Sequence, residues 1–174
     1  PVSYVFDYAI AAKLGLGILS FAYVLLHLIK NRAFKTEETH RPWKLFWKVV
    51  GIRFLIIAAL MTLFVYFFHP ENLFRVLLYN TKLWFIILFV YSIFSVTLQE
   101  LVYRTFYFYR YEQLFKSKTA LILVNAIVFS IAHSFLKSWL VLLFTFVGGI
   151  LFALTFLKTR STILVCIEHS LYGL

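Results

Sequence analysis

The chain has 174 residues, of which 63% are hydrophobic, 21% aromatic and only 14% charged, with a mean hydropathy of +0.89. That leaves too little polar surface for a soluble domain of ordinary usage, so the bilayer must be its main solvent. The net charge of +10 falls in short breaks between apolar runs, where Lys and Arg report topology, which argues against nucleic-acid binding.

About 20 helical residues span the hydrocarbon of a bilayer. Five stretches meet or approach that length: Tyr8 to Leu28, Val49 to Phe68, Leu83 to Thr105, Thr119 to Phe135 and Trp139 to Leu157, with a sixth begun at Ser161. A lone segment in lipid must satisfy its own backbone, and these runs lack the alternation of barrel strands, so helices are expected. The expected fold is an all-α, polytopic transmembrane helix bundle, a single domain over residues 1–174 with about six helices, the last incomplete. The chain begins at Pro1 and ends at Leu174 inside an apolar segment too short to span, so it is read as truncated at the C-terminus. The first run lacks a small-residue cleavage pattern and is read as a retained helix. Cys166 has no partner for an intrachain disulfide or a Cys-based metal site.

A basic connector, Lys30 to Lys48, and a loop with His69, Pro70, Glu71 and Asn72 punctuate the runs. With the N-terminus outside, inner loops collect twelve Lys and Arg, from Lys30 to Arg160, and the outer loops hold Arg75, Lys82 and Lys137. Lys13 and Arg53 stay unassigned. The positive-inside rule therefore predicts a multi-pass protein with its N-terminus outside.

Ionisable side chains inside a membrane are costly and by default mark functional sites. Glu100 and Arg104 lie in the third run, His133 in the fourth, and Glu168 and His169 in the sixth. Glu100 and Arg104, four residues apart, share a helical face and can pair, a relationship that also has a purely structural reading. The turn between the third and fourth helices falls near Lys116 and Ser117. Glu100 and His133 are each about sixteen residues from it, a depth of about 24 Å. His169 lies about 13 Å beyond Arg160, and the depths agree if the tip, Phe106 to Lys118, projects about 10 Å on the inner side. A carboxylate and two imidazoles then converge at one level.

Other features have simpler readings. Gly148 and Gly149 allow close helix packing. Tyr103, Phe106, Tyr107, Phe108, Tyr109 and Tyr111 form an interfacial aromatic belt, and Asn125 is an interhelical hydrogen bonder. The Lys30 to Lys48 connector could also meet anionic lipid.

Three segments then stand out in order: Gln99-Glu100-Leu101-Val102-Tyr103-Arg104, Phe129-Ser130-Ile131-Ala132-His133, and His169-Ser170-Leu171-Tyr172-Gly173. Together they resemble the motifs E-E-x-x-x-R, F-x-x-x-H and H-x-x-x-N of the CPBP family, the CAAX-type prenyl endopeptidases and bacteriocin-processing membrane proteins. The resemblance covers Ser95 to Gly173. It implies that Glu100 holds the place of the second family glutamate, with Arg104 as its partner. It implies further that His133 helps a catalytic glutamate activate water, and that His169 helps stabilise the oxyanion. Gln99 departs from the pattern where the first, water-activating glutamate belongs, and Gly173 where the asparagine belongs. A neutral amide cannot act as a general base. Gln99 therefore marks a natural variant with another base, an engineered inactivation or a pseudoenzyme. Glu100 is the preferred substitute base and Glu168 the other; pairing with Arg104 makes Glu100 less basic, and Glu168 points about 100° away from His169.

The expected function is intramembrane peptide-bond hydrolysis near the inner membrane face by activated water. Its catalytic residues would be Glu100, His133 and His169, with Gln99, Arg104, Phe129, Glu168 and Gly173 supporting them. The expected partners are membrane lipid and a peptide or membrane-protein substrate, with no cofactor. One Glu and two His would also suit zinc, though the resemblance favours a metal-free mechanism. The alternatives are a catalytically inactive membrane scaffold or binding protein, suggested by Gln99 and Gly173, and a proton or ion pathway.

Overall fold

The computed structural model describes residues 10–31 and 43–173. Among them there is no strand, and the chain is an all-α helical bundle. Helix α1 is Ile10–Lys30 and α2 is Trp43–Phe68. A short helix, α3 at Arg75–Tyr79, leads into the long helical run α4, Thr81–Leu114. Helix α5, Lys118–Ile131, ends in a 3₁₀ turn at Ser134–Leu136. Helices α6, Trp139–Thr159, and α7, Thr162–Tyr172, complete the fold. The runs of α2, α4, α5 with its turn, and α6 are long and apolar enough to cross a membrane.

The starts of these helices follow from single polar residues. Asn80, Ser117, Ser138 and Ser161 each accept a hydrogen bond from a backbone N–H in the first turn of α4, α5, α6 and α7. Such caps satisfy donors that a helix start in lipid could not otherwise pair. Arg160, left-handed with φ 46°, closes α6, and its guanidinium grips Glu112 at 2.7 and 2.6 Å. That fork–carboxylate pair fastens the α6–α7 turn to the end of α4.

The core lies between α4, α5, α6 and α7 and includes Phe108, Leu121, Phe129, Phe152 and Phe156. Helices α5 and α6 approach so closely that a Cβ on Gly149 would lie 3.0 Å from Cα of Ala126. Gly149 thus works as a small-residue contact. Large apolar side chains outside the core stay uncovered, with Leu55 67% and Phe67 71% exposed on α2. That is a lipid-facing pattern.

Several boundaries differ from the expected ones. Helix α2 begins at Trp43 within the basic connector, whose residues 32–42 lie outside the described residues. The third run continues to Leu114, so the aromatic segment after Thr105 is helical. Helix α4 is also not uniform. Two π turns, Tyr91–Val96 and Leu101–Phe106, flank Thr97–Glu100. Each π turn takes more than 3.6 residues and re-aims the side chains beyond it, a departure frequent at functional sites. The Thr97 hydroxyl donates to the Ser92 carbonyl at 3.3 Å, satisfying an acceptor within the first of them.

Candidate active site

Glu100 projects from α4 between the two π turns and is fully buried. Its Oε1 lies 2.7 Å from Nδ1 of His169 on α7. Its Oε2 lies 3.3 Å from Nε of Arg104, an ion-pair contact without hydrogen-bond alignment. Arg104, also fully buried, donates through Nη1 to Oδ1 of Asn125 at 2.8 Å and to the Tyr103 carbonyl at 3.2 Å. Asn125 donates in turn to the same Tyr103 carbonyl at 2.7 Å. The guanidinium lies over the Phe129 ring at 4.9 Å and near Phe152 at 5.7 Å. A carboxylate buried inside the bundle is thereby paired and held through groups on α4, α5 and α7.

The two histidines have matching chemistry. A carboxylate only accepts, so the hydrogen between Glu100 and His169 belongs to Nδ1, leaving Nε2 as the ring nitrogen available to the cavity. His133, at the end of α5, has Nδ1 2.8 Å from the Phe129 carbonyl, which likewise assigns its hydrogen to Nδ1. The Phe129 ring packs edge-on to both imidazoles, with centroids 4.8 Å from His133 and 5.7 Å from His169. His169 also stacks on Phe152 at 4.4 Å.

A cavity of 550 Å³ is lined by Gln99, His133, His169, Phe129, Gly173 and Tyr91, among others. Glu100 is absent from this lining. It stands behind His169, because His169 and Arg104 occupy its two oxygens, and so does not meet the cavity directly as a substitute base would. Gln99 faces the cavity, tied by Nε2 to Ser95 Oγ at 2.9 Å, while its Oε1 makes no hydrogen bond among the described residues. Glu168 points elsewhere: its Oε1 lies 3.1 Å from Nη1 of Arg53 on α2. The structure therefore gathers Gln99, Phe129, His133, His169 and Gly173 around one space. Glu100 and Arg104 support it, and Glu168 lies apart.

The cavity does not lie toward the basic connectors. Its lining includes Phe135, Leu136 and Val141, at the bundle end carrying the Ser134–Leu136 turn, opposite the Arg160–Glu112 pair. Counting from Ser117 measures how far His133 is from the tip, and the full length of α5 carries it to the other end. Among the described residues no three His, Cys, Asp or Glu side chains are grouped to hold a metal ion.

Three residues escaped the sequence reading. Arg53 pairs with Glu168, and an unassigned cation within an apolar run was the available signal. Tyr91 and Ser95 line the cavity from the first π turn. Only the spacing to Gln99, eight and four residues, hints at them.

A helix bundle with four runs long and apolar enough to cross a membrane thus sets a carboxylate–imidazole pair and a second imidazole at one cavity. Residues 80–174 match the family model for type II CAAX prenyl endopeptidase, Rce1-like. The chain belongs to this family, a group of CAAX-type membrane proteases. No curated protein and no solved structure matches it.

Proposed function

We propose that this protein hydrolyses a peptide bond of a membrane-bound peptide or protein in the Gln99–His133–His169 cavity, at the bundle end carrying the Ser134–Leu136 turn. The observation that carries the reading is the Glu100–His169 contact of 2.7 Å beside that cavity. In this reading a water there gives one proton to Nε2 of His169 and a hydrogen bond to Nε2 of His133. Its oxygen adds to the peptide carbonyl. Glu100 fixes the tautomer and orientation of His169 and stabilises the imidazolium that forms, as a carboxylate does in an acid–histidine dyad. The C–N bond then breaks and His169 returns the proton to the leaving amine. Glu100 thus acts through His169, which keeps it in the set with His133 and His169 without direct access to water. The reaction needs no cofactor, so a chelator should leave it unchanged, whereas stoichiometric zinc lost together with activity would overturn that part.

The N-terminus is proposed to face outside, with lipid around α2 and the outer face of α4. A second reading is favoured by one observation, the neutral Gln99 amide facing the cavity: a peptide-binding protein without catalysis. Incubating the purified protein with a farnesylated peptide ending in a CAAX sequence, and with its unprenylated form, separates the two. Release of a shorter peptide supports hydrolysis; retention of intact peptide by the protein and by its Gln99→Glu variant supports the binder.

A further inference from the structure

We propose that the hydroxyl of Tyr91 is a catalytic hydrogen-bond donor to the peptide carbonyl oxygen, which becomes anionic when water adds; the assignment rests on the peptidase reading above. Tyr91 opens the first π turn of α4 and lines the same cavity as His169. Its ring stands edge-on to the imidazole, with centroids 6.1 Å apart at 83°.

The need for such a donor follows from what the other polar groups already do. His133 and His169 commit their Nδ1 hydrogens to the Phe129 carbonyl and to Glu100, and so present acceptors to the cavity. One of the two N–H groups of the Gln99 amide is given to Ser95 Oγ. Thr145 donates to the Val141 carbonyl at 2.7 Å and Tyr172 to the Val50 carbonyl at 3.2 Å, so both hydroxyl hydrogens are taken by backbone. Tyr91 makes no hydrogen bond among the described residues, so its O–H is uncommitted. A tetrahedral intermediate gathers charge on one oxygen, and a donor positioned for it is among the largest contributions to acyl transfer.

Gly173 explains how the phenol reaches its place. Its φ of −91° is open to any residue, so the backbone does not demand glycine there. The demand is steric, because a Cβ built on Gly173 would overlap the Tyr91 hydroxyl. A residue with a side chain at 173 and Tyr91 in this rotamer exclude one another. The chain thus trades a side chain from α7 for a phenol from α4 at the same point. In the reaction the carbonyl π electrons move onto oxygen as the water oxygen bonds to carbon. The water proton goes to His169, and Tyr91 keeps its own.

The test compares binding of the farnesylated CAAX-ended peptide with that of an analogue whose scissile amide is replaced by a phosphinate, a stable tetrahedral anion. The protein is expected to prefer the phosphinate, and Tyr91→Phe to lose most of that preference while binding the ordinary peptide unchanged. Cleavage by Tyr91→Phe should fall in kcat by about 10² to 10³ with KM unaltered, and Gly173→Ala, which displaces the phenol, should add no further loss to it. Retention of both the preference and kcat by Tyr91→Phe, with the parent protein active, overturns the Tyr91 assignment alone. A parent protein with neither cleavage nor preference overturns the peptidase reading and this one with it.

Discussion

Oε1 of Glu100 and Nδ1 of His169 lie 2.7 Å apart across 69 residues of sequence, and Glu100 is wholly shielded from the cavity that His169 lines. In the proposed mechanism the carboxylate therefore acts as a partner of the imidazole rather than as a reactant. Arg104 completes the arrangement from the other side, so that removing any one charge leaves another unbalanced in a lipid-excluded core.

Glu100→Gln should therefore lower kcat by about 10² to 10⁴, since the acid–base residue loses its orienting partner. It should also cost about 3–5 kcal/mol of stability, because Arg104 is left buried without a counter-charge. Thermal melting in detergent separates the effects. Adding Arg104→Met should recover part of the melting temperature and none of the activity.

Arg53 and Glu168 make a separate prediction about assembly. Their 3.1 Å contact joins α2 to α7, and neither residue lines the cavity. Glu168→Gln should lower the melting temperature while leaving kcat within about threefold, because activity is assigned to other groups; a loss near that of Glu100→Gln would place Glu168 in the chemistry.

Much of this was legible in the sequence, for identifiable reasons. Apolar length located the helices, and the four-residue spacing of Glu100 and Arg104 disclosed their pairing. The order of three short motifs led to the family. What could not be read is the face each side chain takes after a π turn. Adjacent residues on a helix point about 100° apart, so the period does not say which of Gln99 and Glu100 meets the cavity, whereas α4 turns Gln99 to it and Glu100 behind His169. Arg53 was opaque because its partner lies 115 residues away, and no local spacing points to it. The bundle end at which the cavity opens is not legible from depth counted from one hairpin tip, because the full length of α5 carries His133 to the other end.

Close packing at Gly149 is tested against Gly51. A methyl at 149 would press on the Ala126 backbone, whereas a Cβ at 51 meets nothing within 4 Å. Gly149→Ala should destabilise the bundle by about 1–3 kcal/mol. Gly51→Ala should be neutral or mildly stabilising through helix propensity. Equal melting temperatures for the two variants would refute the tight α5–α6 contact.

The proposed orientation predicts that tags placed in the Lys30 to Lys48 connector and at Ser117 are reached from one side of the membrane, and a tag at Glu71 from the other. Same-side labelling of all three would refute it.

The most direct measurement of the central claim is mass spectrometry of the farnesylated peptide after incubation with the protein in water enriched in oxygen-18. Hydrolysis in the His133–His169 cavity predicts a shorter product carrying one heavy oxygen in its new carboxyl group. His169→Ala should abolish the product when assayed below its own melting temperature, which the loss of a buried partner of Glu100 is expected to lower. Gln99→Glu, which sets a carboxylate beside a cavity where His169 already serves as base, should change it by less than about tenfold, whereas an increase of about 10² to 10⁴ would show that the base is missing from the protein as it stands. Intact peptide recovered from both the protein and Gln99→Glu, each folded and each retaining the peptide, would contradict the account and leave a binding protein in its place.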